Sequence, residues 1–256
     1  MMRTALAQIQ LAFLLLTRLP VGRLPDPAPG INAAAWAFPL AGLAVGVGAA
    51  LVFWGATALG LPLGLAALLG LCAQIALCGA LHEDGLADLA DGLWGGHTRE
   101  RRLEIMRDSR IGSYGVLALI LSLALRWQAL VYLGTLDFTL ALQALVAMAM
   151  LSRVAPVALL ALLPAARADG LGHSAQSVPV RSLAVATLIA IVPLLLLQFI
   201  PVVTLALVLA AQSAVVLALA AIARRKLGGQ TGDVLGAGQQ LAEIAGYVAL
   251  AALFSV

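Results

Sequence analysis

Charge is what this 256-residue chain has least of: Asp, Glu, Lys and Arg make up 11% of it, against 62% hydrophobic residues, and its mean hydropathy is +1.04. A soluble domain is about a quarter charged, so a water-soluble fold of this length would lack the polar surface to cover itself. Cysteine is scarce too. Cys72 and Cys78 are the only two, six residues apart in one apolar stretch, which excludes a disulfide within that helix. Tandem repeats, low-complexity tails and a second domain are absent. A Walker loop is missing as well, because Lys226 precedes its neighbouring glycines instead of following them. The apolar run Leu11–Leu16 meets Arg18 and Pro20 without a small-residue cleavage site, so it reads as mature sequence, an interfacial or re-entrant helix. The formal charge of +3 comes from arginine-rich loops and requires no nucleic-acid partner.

What is abundant is apolar runs of about 20 residues, long enough to cross a ~30 Å hydrocarbon core. They predict an all-α polytopic transmembrane bundle, a single integral domain over 1–256, with about seven spans near 33–56, 62–82, 112–134, 138–163, 183–200, 202–223 and 235–254. Pro62 and Pro201 fall in tight connections; Pro39, Pro156 and Pro193 fall inside spans and predict kinks. The segments 1–32, 83–111, 164–182 and 224–234 hold thirteen of the fifteen basic residues, and the connections near 57–61, 135–137 and 201 hold none. By the positive-inside rule the first set faces the cytoplasm, with the N-terminus inside and the C-terminus outside. Arg126 and Arg153 lie within spans and should face the bundle, as ion pairs or substrate contacts, or snorkel.

Seven of the twelve acidic residues fall between Glu83 and Asp108. On a helix Asp84, Asp88 and Asp91 stand at i, i+4 and i+7, one stripe, with Glu83 about 100° away. Two such charges at ~6 Å and an effective dielectric of ~20 repel by roughly 3 kcal/mol, so the stripe calls for a cation. Hard oxygen ligands suit Mg²⁺, which typically takes one or two carboxylates and completes its shell with substrate phosphates. A solvated acidic face or a proton relay is the plain alternative. Against it stand Gly85 and Gly92, which permit close backbone approach, the apolar span that the cluster abuts, and the block Arg99, Arg101, Arg102, Arg107 and Arg110, whose forks suit phosphate. His82 is a candidate base or ligand, or an orienting hydrogen-bonder; His97 and His173 have weaker claims.

Two further stretches belong to this reading. Arg107-Asp108-Ser109-Arg110-Ile111-Gly112-Ser113 opens the third span with small residues whose amides can hold an anion, though ordinary caps look the same. Gly229, Thr231 and Asp233 precede the last span, where they serve metal or nucleotide binding or merely cap that helix. Glu243, inside the last span, is expected in the polar core.

The motifs Leu16-Thr17-Arg18-Leu19-Pro20, Phe38-Pro39-Leu40-Ala41-Gly42, His82-Glu83-Asp84-Gly85-Leu86-Ala87-Asp88 with Asp91-Gly92, Met106-Arg107-Asp108-Ser109-Arg110-Ile111-Gly112-Ser113-Tyr114-Gly115 and Gly229-Gln230-Thr231-Gly232-Asp233-Val234-Leu235-Gly236-Ala237 occur in that order. Together the sequence resembles the cobalamin synthase family, the adenosylcobinamide-GDP ribazoletransferases, over nearly its whole length; within 120–220 the likeness is mainly hydropathy. The resemblance implies a Mg²⁺-dependent transferase of the bacterial inner membrane, its site facing the cytoplasm. It would join α-ribazole or its 5′-phosphate to adenosylcobinamide-GDP and release GMP. On that reading Glu83, Asp84, Asp88 and Asp91 bind one or two metal ions, one of these carboxylates (Asp88 among them) or His82 accepts the attacking proton, Arg107 and Arg110 neutralise the leaving GMP, Ser109 and Gly229 hold the nucleotide, and Thr231 and Asp233 hold nucleotide or metal. A CDP-alcohol phosphotransferase, whose aspartates are spread further, and a cation-coupled transporter remain alternatives; the lower-ligand base and the oligomeric state are left open.

Overall fold

A computed structural model describes residues 2–168, 175 and 178–254, and the described chain is helical apart from turns and one isolated bridge. Helix α1 (Met2–Leu16) leads by way of α2 (Ile31–Ala34) and a 3-10 turn (Ala35–Ala37) into α3 (Phe38–Ala58). Then come α4 (Leu63–Cys78), α5 (Leu81–Gly95), the short α6 (Arg99–Ile105), α7 (Ser113–Leu136), α8 (Phe138–Ser152) and α9 (Val154–Leu162). Helices α10 (Val180–Leu196), α11 (Val202–Lys226) and α12 (Gly232–Leu253) complete the described chain.

Among the described residues four stretches are long and apolar enough to cross a membrane: Ile31–Ala58, Ser113–Leu136, Phe138–Leu162 and Val202–Lys226. The pair α4 and α5 qualifies as a fifth, but the two halves are bent by 88°. The other two expected spans are present as helices with different limits. At 17 residues α10 rises only ~26 Å. Helix α12 is long enough, at 22 residues, yet it carries Asp233, Gln239, Gln240 and Glu243.

The bend corrects one expectation. The sequence predicts a span over 62–82 followed by a loop, whereas the helix stops at Cys78, turns, and resumes as α5. Gly79 (φ 63°) ends α4 in the left-handed conformation that glycine adopts without penalty, and Ala80 (φ 56°) repeats it at some cost in strain. Leaving α4 at nearly a right angle, α5 packs on α12 and α7. The prolines act at breaks. Pro39 sits in the first turn of α3 just after the 3-10 turn, where its missing N–H is not needed. Pro156 follows the one-residue interruption at Arg153, and Pro193 lies in the last turns of α10.

The surface is inverted relative to a soluble protein. Leu117, Ile120 and Leu121 on α7, Leu188 on α10 and Leu207 and Leu217 on α11 face outward, while Arg126, Arg153 and Glu243 are wholly enclosed. Phe53, Leu71, Leu130, Leu145, Met148 and Tyr247 fill the centre. A second apolar cluster includes Leu86 and Leu89 of α5, Leu159, Leu219 and Val234, and α5 itself packs chiefly on α12 and α7.

The connections rich in arginine meet at the α5 end. Arg99 donates to the carbonyls of Leu227 (2.7 Å) and Ala166 (2.9 Å), and Arg167 to that of Leu103 (2.8 Å). The amide of Ala166 donates to Gln230 O and that of Gln230 to Pro164 O, each at 2.8 Å. These bonds hold the loop before α12 against α6 and the segment after α9.

Candidate active site

Helix α5 presents its acids on two faces, and the fold treats the faces differently. Glu83 points into the bundle. Its Oε1 accepts from Arg126 (3.3 Å) and from Gln240 (3.0 Å). Glu243 joins the same network, accepting from Gln74 and Gln239, with Arg126 Nη1 3.9 Å away. Arg126 is therefore a structural counter-ion. Arg153 donates to Ala149 O (2.6 Å) and Cys78 Sγ (3.0 Å).

The stripe itself divides. Asp91 is buried, and both its oxygens are used: Oδ2 accepts from the Gly112 amide (2.7 Å) and Oδ1 from that of Gly115 (2.9 Å). It fastens the N-terminus of α7, whose own cap residue, glycine, has no side chain to do so. Asp84 is exposed and Asp88 half-buried. Across from them, half-buried Asp233 stands in the first turn of α12.

This closeness depends on Gly85. A Cβ there would lie 2.9 Å from Asp233 O, 3.1 Å from Asp233 Cα and 3.2 Å from Gly236 Cα, so only glycine lets the two helices approach so far. The electrostatic result is visible at Asp88, whose acid is pushed up to about 7, first by burial and then by the charges of Asp84, Asp233 and Asp91, with Arg167 opposing. Arg167 Nη1 is 3.9 Å from Asp233 Oδ2. Sequence spacing gave no sign of Arg167, which reaches the site only through tertiary folding.

Thr231 is the N-cap of α12: its hydroxyl accepts from the Val234 amide (3.3 Å) and donates to Asp233 Oδ2 (3.1 Å). Of the two roles open to it in the sequence, the structure displays capping. Gly229 packs its backbone against Pro164 and donates to Ala223 O (3.3 Å). His82 is 3% exposed, and its Nε2 has no hydrogen-bond partner. His97 is exposed, and His173 lies outside the described residues.

Beyond Asp91 opens a cleft of about 710 Å³ lined by Arg101, Arg107, Asp108, Arg110 and Tyr114 among others. Arg110 forks onto Asp108 (2.6 to 3.2 Å), and those hydrogen bonds hold the Asp108 carboxyl down at about 2. Ser109 is exposed in the same turn. Of the arginine block, Arg99 is committed to backbone carbonyls and Arg101 pairs with Glu104 at 2.8 Å.

Among the described residues no three His, Cys, Asp or Glu side chains converge as a ready-made metal cage. Mg²⁺ typically takes one or two carboxylates and completes its shell with phosphate oxygens. Asp84, Asp88 and Asp233 supply hard, accessible oxygens and a surplus of negative charge, so the residues present fit such an ion. Asp91, grouped with them by sequence spacing, has both oxygens on backbone amides, and Glu83 turns inward with its Oε1 on Arg126 and Gln240.

A sequence-family profile described as cobalamin-5-phosphate synthase matches residues 8–251. The adenosylcobinamide-GDP ribazoletransferase of Bradyrhizobium diazoefficiens is 48% identical over 243 residues, covering 94% of this chain and 92% of the relative. That of Mesorhizobium japonicum is 45% identical over 247 residues (95% and 92%), and that of Shewanella baltica 40% over 238 (91% and 89%). No solved structure matches the chain.

Proposed function

Because the chain belongs to the cobalamin-5-phosphate synthase family, we propose that the acidic opening between α5 and α12 carries out adenosylcobinamide-GDP ribazole transfer, the step that attaches the lower ligand of cobalamin. The observation that carries the assignment of residues is the close approach of the two helices at Gly85, which puts Asp84 and Asp233 on one cavity with Asp88 a turn further along α5. With family membership established, the phospholipid-synthase and transporter readings lose their ground.

In the reaction a hydroxyl oxygen of α-ribazole, or of its 5′-phosphate, bonds to the phosphorus nearer the cobinamide. The bond from that phosphorus to the bridging oxygen breaks, and GMP leaves with the electron pair. Asp84, Asp88 and Asp233 would hold Mg²⁺, which when bound neutralises the oxygens of the diphosphate. Whichever of these carboxylates the ion leaves free would accept the hydroxyl proton. Arg107 and Arg110, in the cleft beyond Asp91, lie on the side suited to the departing GMP, where fixed positive charge favours the transition state. Thr231 orients Asp233, and Arg167 limits the charge that the site accumulates.

All seven long apolar segments, including short α10 and polar α12, serve as crossings, and the site faces the cytoplasm of the bacterial inner membrane. Support comes from the loops: those richest in arginine converge on the α5 end, and the other end carries no basic loop residue. The test uses purified protein in detergent or liposomes with adenosylcobinamide-GDP, α-ribazole and Mg²⁺. GMP should appear, and Asp88→Asn should abolish it while leaving the yield of folded protein unchanged. Near-normal turnover by that variant would remove Asp88 from the site.

A further inference from the structure

A separate cavity of about 220 Å³ opens beside the acids. Its walls are Leu16 of α1, Ile31 of α2, Phe38 of α3, Leu160 of α9 and Leu235 of α12, so helices from both ends of the sequence build it. Its polar end is Asp84 and Asp233, and His82 also lines it. The unpartnered Nε2 of His82, on a side chain 3% exposed, is a buried polar atom left for a ligand to satisfy.

Size and polarity select among the groups that must reach the site. An apolar cavity of about 150 Å³ takes up benzene, so 220 Å³ has room for a second fused ring. A corrin ring is far too large. Guanine could set its N1–H and amino group on Asp84 or Asp233, but its ring nitrogen and carbonyl acceptors would face walls whose one side-chain donor is His82, leaving most of them unpaired at a cost of ~1–3 kcal/mol each. A benzimidazole-type base attached to ribose is flat, bicyclic and largely apolar. It keeps one unsubstituted ring nitrogen, an acceptor for an N–H on His82.

We propose that this cavity is the pocket for the aromatic base of the nucleoside acceptor. The base lies among Leu16, Phe38 and Leu160 with its ring nitrogen on His82, and the ribose hydroxyls emerge at Asp84 and Asp233. The inference rests on the ribazole-transfer reading and adds a direction to it. Seven residues of helix, ~10 Å, separate Asp84 at this pocket from Asp91 at the arginine cleft, so the acceptor enters at one end of the stripe and GMP departs at the other.

The test is Leu160→Phe and, from another helix, Leu16→Phe, each of which fills the cavity. Each should raise KM for α-ribazole at least tenfold and leave KM for adenosylcobinamide-GDP within twofold, which also reports that the variant is folded. Binding of a benzimidazole riboside to wild type and Leu160→Phe, without the corrinoid, reads the pocket independently of turnover and should weaken at least tenfold in the variant. Equal riboside binding, as when a lipid chain fills the cavity instead, overturns the pocket, as does an unchanged ribazole KM in both variants. Wild type that binds the riboside yet releases no GMP would sink the transferase reading and leave the pocket standing.

Discussion

Substituting Gly85 by alanine isolates the helix approach from the chemistry, because it removes no charged or polar group. The added Cβ would sit 2.9 Å from a backbone oxygen of Asp233 and 3.1 to 3.2 Å from two Cα atoms of α12, none of which can swing aside as a side chain end would. Restoring an ordinary contact of ~3.4 Å means moving α5 and α12 apart by about 0.5 Å. Overpacking of this kind costs ~1–3 kcal/mol, and half an ångström is about the tolerance of a catalytic constellation. Turnover should drop about tenfold or more, and the apparent Mg²⁺ affinity with it, while the protein still inserts and purifies. The matching control is Gly236→Ala across the same contact. There the nearest atoms lie at 3.4 Å, ordinary packing distance, so its activity should stay within about twofold of wild type. GMP release titrated against Mg²⁺ measures both. Equal Mg²⁺ affinity in Gly85→Ala and wild type would refute the claim that the α5–α12 approach assembles the ion site.

Asp91→Ala removes two charge-assisted acceptors from the start of α7 and orphans the buried Gly115 amide. A loss of about 3 kcal/mol is expected, read as lower thermal stability and faster proteolysis near 106–112, with Mg²⁺ affinity nearly unchanged; the reverse pattern would return Asp91 to the ion site. Arg126→Leu leaves Glu83 and Glu243 buried without their cation, worth ~3–5 kcal/mol, so little folded protein should be recovered by size-exclusion chromatography. Adding Glu83→Gln and Glu243→Gln should restore it, and a well-folded single variant would contradict the counter-ion role. Because the Asp88 acid is raised to about 7, the folded state holds that proton more tightly than the unfolded chain does, and its contribution to stability declines as pH rises through that range. Cation and proton compete there, so apparent Mg²⁺ affinity should climb from about pH 5.5 towards 7 and level off above; a flat profile of the Mg²⁺ titration would remove Asp88 as a ligand.

The sequence exposes what repeats locally. Long apolar runs mark the helices, the arginines sort by loop, and Asp84, Asp88 and Asp91 declare their stripe by spacing alone. What it conceals depends on partners far along the chain. Glu83 reads as a fourth ligand until Arg126, 43 residues later, and Gln240, 157 residues later, are seen to claim its oxygen. Asp91 reads likewise until the amides of Gly112 and Gly115 fold back onto it. The segment holding α5 falls outside the apolar spans because its charges break the hydropathy of the span before it, although its buried Leu86 and Leu89 join an apolar cluster with residues of α9, α11 and α12 as an amphipathic helix would. The Gly79–Ala80 turn is a pair of small residues whose left-handed backbone no pattern announces. Arg167 lacks any local signature at all.

The right-angle turn and the buried ion pairs solve one problem together. An upright helix reaching the membrane surface exposes only its last turn, so carboxylates at i, i+4 and i+7 would span from water into hydrocarbon. Turned 88° from α4, α5 carries its ~10 Å stripe across the direction of that helix and brings it beside the first turn of α12. That placement sets its inner face against the bundle core, where an unpaired Glu83 would be prohibitive, and Arg126 offsets that cost while Gln240 donates to Glu83 and Gln74 and Gln239 donate to Glu243. With Glu83 neutralised inward and Asp91 tied to backbone, the repulsion left on α5 is concentrated at Asp84 and Asp88, facing Asp233. Charge that the fold has not cancelled is therefore confined to the opening where a cation and a diphosphate can cancel it, between an apolar pocket on one side and an arginine-lined cleft on the other.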